Sequence, residues 1–247
     1  MNSRTIVPVS VLLGLAIIPA QLGSAAGRTS AAGSIAPSRA TGATVAKIVV
    51  KAVVLTRPGA GKIKWTLSGE TNWGHGPQQL LVLDRAIDKK GQEWLKVRLP
   101  IRPNGSFGWI RADFALVSRT PYWIDVSLKQ RLVSVYSSGA LVRSFPAVIG
   151  APATPTPTGL AAIYDPVVQP DPNGFVGPLV LHLTALSNVL KKFDGGSGRV
   201  GIHGRGDGSL RDPLGSARSH GCIRVNNDQV RWLARTTPRG TPVFIHE

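Results

Sequence analysis

One cysteine and one histidine, both late in the chain, have the types and surroundings needed for covalent chemistry. Cys222 is the only cysteine among 247 residues, and Gly221 precedes it. His203 ends an apolar run at 200–202 and is followed by Gly204. A thiolate that attacks an acyl carbon, with an imidazole that holds the proton and returns it to the leaving amine, is the minimum apparatus of thiol catalysis. We therefore predict that Cys222 and His203 form a catalytic pair.

The glycines beside the pair favour the same chemistry. The carbonyl of Gly204 is free to accept a hydrogen bond from one imidazole nitrogen, which would fix the tautomer of His203. Gly221 allows a sharp backbone turn and a close approach to a substrate carbonyl. We expect the N–H groups of Gly221 and Cys222 to form an oxyanion hole.

The spacing of these residues resembles a known signature. His203, fifteen intervening residues and then Ser219-His220-Gly221-Cys222 are similar to the motif of the L,D-transpeptidases, exported bacterial cysteine enzymes that remodel peptidoglycan. The resemblance spans 120–247 and includes the Pro- and Thr-rich turn at 155–159.

The resemblance implies a role for each matching position. Cys222 would be the nucleophile and His203 the general base and acid, while His220 would position the others. Ser219 and Arg224 would bind substrate, although many family members have Asn where this sequence has Arg224, and this difference bears on substrate contacts.

The resemblance also implies a fold and a reaction. The expected catalytic domain is a β-sandwich that needs no cofactor and no metal. It would take the acyl group of the third residue of a tetrapeptide stem, release D-Ala and form a 3→3 cross-link with a second peptidoglycan stem. Carbapenem β-lactams are then expected as covalent inhibitors.

Three other readings of the same residues stay open. Water in place of the amine would make the protein an L,D-carboxypeptidase, and a dead site would leave a wall-binding protein. His203, His220 and Cys222 are also ligand types suited to zinc, although His220 and Cys222 stand only one residue apart. His182, within the apolar stretch 179–183, is expected to be a hydrogen-bonded strand residue without a catalytic role.

The beginning of the chain indicates export. Arg4 precedes an uncharged apolar run at 6–20, and small residues follow at 24–26, which is the layout of a signal peptide over 1–26. The run is shorter than the roughly 20 residues of a membrane span, although a retained anchor remains an alternative. Residues 27–45 lack large apolar groups and are predicted to be a flexible tether. The protein is therefore expected in the cell wall or on the outer face of the membrane.

The two remaining regions are predicted to be mainly β. Short strands between turns over 46–119, ending in Gly108-Trp109-Ile110, resemble a bacterial SH3-like domain, a small barrel that binds wall polymers or serves as a spacer. Further strands over 120–247 carry the catalytic pair, with two short helices expected near 187–193 and 228–235, the second capped by Asn227.

The net charge of the chain limits the classes of partner that it is expected to bind. Its 29 Lys and Arg against 13 Asp and Glu give a formal net charge of +16, which favours anionic partners. We expect anionic wall polymers rather than nucleic acid, because the chain shows an export signal and lacks a basic recognition element. The hydrophobic content of 43% excludes a wholly disordered chain.

Overall fold

The computed structural model describes Met1, 35–193 and 195–247. The predicted signal peptide and the first part of the predicted tether lie outside these residues. From Ile35 onward the described chain belongs to one compact unit. In the described part of the chain, no helix has the length and apolar character to cross a membrane.

The first half of the described chain forms a seven-stranded sheet, the N-terminal sheet. Its strands are β1 (Ala43–Ile48), β2 (Ala52–Leu55), β3 (Ile63–Leu67), β4 (Gln79–Ile87), β5 (Glu93–Arg98), β6 (Phe107–Arg111) and β7 (Ala115–Thr120). They pair in the order β3-β2-β6-β5-β4-β1-β7. The predicted alternation is confirmed from Leu95 onward, because β5 buries Leu95 and Val97 and leaves Lys96 and Arg98 more exposed, while Trp94 is buried as well.

The second half forms an eight-stranded sheet, the C-terminal sheet, with a small two-stranded sheet beside it. The elements are β8 (Tyr122–Ser127), β9 (Leu132–Ser137), β10 (Ala140–Pro146), β11 (Ile149–Gly150), β12 (Gly159–Val168), β13 (Leu179–Leu186), β14 (Arg199–His203), β15 (Ala217–Ser219), β16 (Ile223–Arg224), α1 (Asn227–Thr236) and β17 (Pro242–His246). The large sheet runs β10-β9-β8-β17-β12-β13-β14-β16, and β11 pairs with β15. The predicted mainly β fold is therefore confirmed.

Each sheet has its own apolar core, and the two are joined. The C-terminal core is built from the inward faces of its strands and from Val230 and Leu233 of α1. Tyr164 of β12 packs instead into the core of the N-terminal sheet. Arg199 of β14 donates hydrogen bonds to the carbonyls of Leu183 and Pro100, at 2.9 and 2.8 Å. The second of these bonds ties the catalytic half to the N-terminal half.

The helix expected near 187–193 is wrong. The Oγ of Ser187 accepts the N–H groups of Val189 and Leu190, a local turn that competes with a helix. Arg102 of the N-terminal half donates to the carbonyls of Ser187, Leu190 and Ser197 at 2.7 to 3.3 Å. Because these bonds occupy backbone carbonyls of the segment, tertiary contacts rather than helical hydrogen bonds fix its conformation.

Two predicted boundaries also shift. The helix α1 begins at Asn227 with Asn226 as its N-cap, because the Asn227 side chain accepts the Arg205 N–H at 2.7 Å instead of capping. The predicted tether ends earlier than 45, since Ala43 opens β1 and Ile35 packs against the N-terminal core.

Candidate active site

A cavity of about 710 Å³ brings the predicted catalytic residues together. His203, Cys222, His220 and Arg224 all line it. Apolar side chains form much of the remaining wall, and they come from both halves of the chain: Trp73, Val167, Phe175, Val176, Val180 and Phe193. The cavity is therefore a partly closed, largely apolar site with the thiol and the imidazole inside it.

Two neighbouring strands place His203 and Cys222 on one face. The parallel pair β14–β16 sets Ile202 opposite Ile223 and His203 opposite Arg224. Side chains alternate along a strand, so Cys222 and Arg224 share the face of His203. Cys222 therefore lies two residues before the position opposite His203, on the same face.

The ring of His203 is held in one orientation. It is 3% exposed, and its Nδ1 lies 2.7 Å from the Gly204 carbonyl, the partner expected from the sequence. A carbonyl only accepts, so Nδ1 carries the hydrogen and Nε2 of the neutral ring keeps a lone pair. Burial lowers the pKa of His203 to about 4; the hydrogen bonds to the Gly204 and Val176 backbone act in the opposite direction, and the positive charge of Arg224 acts with burial. The imidazole is therefore neutral at physiological pH, as a general base must be.

The thiol of Cys222 is half-buried in the cavity. Burial raises its pKa above the ordinary value, while the Gly201 backbone and the charge of Arg224 work in the opposite direction. With burial as the largest influence, the free site holds a neutral thiol beside a neutral imidazole.

The turn before Cys222 uses one of the two N–H groups expected in the oxyanion hole. Gly221 has φ = +111°, a conformation that favours glycine. Its N–H donates to the Oγ of Ser219 at 3.1 Å, so this donor is already used. The Cys222 N–H has no acceptor among the described residues and remains available to an oxyanion.

Ser219 was expected to bind substrate, and the structure places it inside the turn before Cys222. It is 1% exposed. Its Oγ accepts the Gly221 N–H and donates to the Cys222 carbonyl at 2.6 Å. Both bonds lie within the turn, so Ser219 shapes the backbone that presents the nucleophile.

Arg224 lines the cavity yet is 2% exposed. It donates to the Asp212 carboxylate at 2.5 Å, and its guanidinium lies 4.8 Å from the centre of the Phe175 ring. Its charge thus acts on His203 and Cys222 from a fixed position.

His220 was expected to position the other site residues, and it lines the cavity. Its side chain is exposed at the cavity wall, 5.1 Å from the Phe193 ring centre to centre. Within the described residues, no three His, Cys, Asp or Glu side chains cluster closely enough to hold a metal ion. The zinc arrangement of His203, His220 and Cys222 is therefore not formed by this geometry.

Three residues that line the cavity were not identified as site residues from the sequence. His182 is a strand residue as expected, but its Nδ1 is buried without a hydrogen-bond partner among the described residues, and burial lowers its pKa to about 4. Arg199 lies beside it, and Trp73 comes from the N-terminal half. His182 stands two positions from Val180, which pairs with His203, and this same-face relationship was the available signal. No sequence pattern indicated that Trp73 lies at the cavity, because a tertiary contact places it there.

Comparisons with known proteins agree with this site. Residues 121–245 match the family model described as YkuD, L,D-transpeptidase catalytic domain. Proteins called putative L,D-transpeptidase YkuD from Bacillus licheniformis and Bacillus subtilis are 36% and 31% identical over 125 and 126 residues. Each alignment covers 51% of this chain and 66% of the relative, so it spans just under two thirds of the relatives' length.

A solved structure shows a weaker likeness. L,D-transpeptidase 3 from Mycobacterium tuberculosis, in complex with a faropenem-derived adduct, has a TM-score of 0.46 and 15% identity, covering 80% of this chain and 98% of that one.

The family match itself extends over just over half of the chain and contains both His203 and Cys222. The chain therefore belongs to the YkuD family of L,D-transpeptidase catalytic domains.

Proposed function

We propose that this protein is an L,D-transpeptidase that forms 3→3 cross-links between peptidoglycan stem peptides. The observation that carries the proposal is the fixed tautomer of His203, which keeps a lone pair on Nε2 in the same cavity as the Cys222 thiol. Family membership supplies the reaction class: acyl transfer through a cysteine nucleophile.

The first half of the reaction forms a thioester. Nε2 of His203 takes the proton of the Cys222 thiol as the sulfur attacks the carbonyl of the third stem residue. The oxyanion accepts the Cys222 N–H. His203 then gives its proton to the nitrogen of the terminal D-Ala, the C–N bond breaks, and D-Ala leaves.

The second half transfers the acyl group. An amine of a second stem gives a proton to Nε2 of His203 and attacks the thioester carbonyl. The C–S bond breaks, the new amide forms, and His203 returns the proton to the Cys222 sulfur.

Mass spectrometry of the products from a disaccharide-tetrapeptide tests the proposal. We expect a cross-linked dimer that lacks one D-Ala, and no product from Cys222→Ala. Arg57→Gln is the control, because Arg57 is exposed and does not line the cavity. A trimmed tripeptide alone would indicate a carboxypeptidase, and activity retained by Cys222→Ala would refute the thiol mechanism.

We further propose that carbapenems acylate Cys222. A β-lactam ring is a strained acyl donor, and the opened ring leaves no small amine to diffuse from the cavity. The half-buried thiol and the free Cys222 N–H supply the same attack and oxyanion contact as for the stem.

For the other regions we propose export through the segment 1–26 and an SH3-like role for 46–119 in holding anionic wall polymers. The supporting observations are the apolar run at 6–20 and the positive charge of the chain. Lysines on the N-terminal sheet are exposed, which leaves their charge accessible to a polymer.

A further inference from the structure

A loop of the N-terminal half, 71–76, is fastened to the catalytic half by one buried carboxylate. Asp165 of β12 is 0% exposed. It accepts the Thr71 hydroxyl at 2.8 Å and the N–H groups of Trp73 and Gly74 at 3.2 and 3.0 Å. Arg239 pairs with it at 3.6 Å from the other side. Three bonds and an ion pair therefore fix the position of this loop.

The loop has no room for a side chain at Gly74. A Cβ there would lie 2.5 Å from a carboxylate oxygen of Asp165 and 2.8 Å from the Pro166 carbonyl oxygen. The close packing therefore favours glycine at this position. Trp73, the residue before it, is thus held in a defined position.

Trp73 forms a wall of the catalytic cavity although it remains 42% exposed. Its ring lies 5.0 Å from that of His182 and 5.3 Å from the Arg199 guanidinium. A large aromatic surface that a folded protein holds open to solvent inside its own cavity is available to a ligand.

The sheet register gives the distance from His182, the neighbour of Trp73, to the nucleophile. His182 of β13 stands opposite Gly201 of β14. Gly201 in turn lies beside Cys222, whose thiol its backbone contacts. Two strand spacings separate His182 from Cys222, about 10 Å. Gly201 carries no side chain between them, so an open path runs from Cys222 to His182 and Trp73.

The charged side chains that line the cavity restrict which peptides can bind along this path. Its charged lining residues are Arg199 and Arg224, with no Asp or Glu. Both Arg199 Nη atoms donate to backbone carbonyls, so its charge has no direct carboxylate partner in the described structure. An uncharged or anionic peptide segment fits this surface better than a cationic one.

We propose that Trp73 is a specificity-determining residue that, with His182, binds the part of the acyl-donor peptide lying about 10 Å from the scissile carbonyl. An extended chain spans about 3.3–3.6 Å per residue, so this part is the beginning of the stem. Asp165 acts through Trp73 as a positioning residue. The inference rests on the proposed transpeptidase function, and it makes the N-terminal half a component of the active site.

Steady-state kinetics with two donors test the inference. One donor is the full tetrapeptide, and the other is an N-acetylated dipeptide that keeps only the third residue and D-Ala. Trp73→Ala is expected to raise KM about tenfold for the tetrapeptide with kcat nearly unchanged, and to leave the dipeptide unaffected. Trp73→Phe should restore most of the affinity. Asp165→Asn should resemble Trp73→Ala, with Tm measured to separate unfolding.

Trp65→Ala is the matched control, because Trp65 is a similarly exposed tryptophan (45%) of the same half of the chain and does not line the cavity. Equal losses for both donors, or an equal loss in Trp65→Ala, would overturn the proposal. Calorimetry with Cys222→Ala measures tetrapeptide and dipeptide binding without turnover. Calorimetry detects a preference for the longer peptide even if the wild type proves inactive. Failure of this inference can therefore be told apart from failure of the proposed reaction.

Discussion

At the scale of residues, the protonation of His203 decides when the site can react. Burial lowers the pKa of His203 to about 4 and raises that of the Cys222 thiol. Between these two values both groups are neutral, and the reaction depends on Nε2 taking the thiol proton. Acid converts His203 to the imidazolium, which has no lone pair to offer.

This predicts the pH profile of carbapenem acylation, followed as adduct formation by intact-mass spectrometry. The rate should rise as pH increases through about 4, where His203 loses its proton, and should then level off until the thiol ionises. His203→Asn should lower the plateau by roughly 10² or more and remove the acid limb. Arg57→Gln, at an exposed position outside the cavity, should leave both unchanged. A limb that persists in His203→Asn would assign it to another group, with His182 the nearest candidate because burial also lowers its pKa to about 4.

At the scale of elements, the segment formed by 187–193 and 195–198 is held by a residue far away in the sequence. Arg102 satisfies three carbonyls in it, and Asn104 donates to the Leu186 carbonyl at 2.6 Å at its start. The segment carries Phe193 and the glycines that line the cavity. Its shape is therefore a property of the contact between the two halves.

Removing that contact should expose the segment to protease. Arg102→Gln leaves the three carbonyls without their charged donor, so we expect faster tryptic cleavage after Lys191 and Lys192, measured by mass spectrometry under native conditions. Arg57→Gln is the control, an exposed arginine of the same half. Unchanged cleavage in Arg102→Gln would show that local turns alone hold the segment.

The same segment shows what the sequence could and could not predict. Alternating apolar residues predicted most strands, and the spacing from His203 to Cys222 predicted the catalytic pair, because both depend on local pattern. The helix at 187–193 failed because Arg102 binds the carbonyls that a helix would use. The place of Trp73 at the cavity could not be predicted for a related reason, because hydrogen bonds from its loop to Asp165, 91 to 94 residues away in the sequence, decide it.

At the scale of the whole molecule, the two halves are not separable parts. Tyr164 fills the N-terminal core, and Trp73 walls the catalytic cavity. Deleting 46–119 would expose apolar surface and open the active site. Wall binding by this region must therefore be tested on an intact chain, through its charge.

Three exposed lysines of the N-terminal half, Lys47, Lys51 and Lys89, allow that test, because none makes an ion pair among the described residues. Replacing all three with glutamine removes positive charge from the surface without touching either core. If this surface holds an anionic wall polymer, the glutamine variant should pellet with insoluble peptidoglycan several-fold more weakly at low salt. Its turnover of small soluble stems should be unchanged.

Two comparisons separate electrostatic attachment from other causes. Replacing the same lysines with arginine keeps the charge, so that variant should pellet like the wild type. At 1 M salt the screening length falls to about 3 Å, and the difference between the glutamine variant and the wild type should disappear. A glutamine variant that pellets as well as the arginine variant at low salt would show that the N-terminal sheet contributes no attachment through these charges. Its role would then be confined to the cavity wall that Trp73 provides.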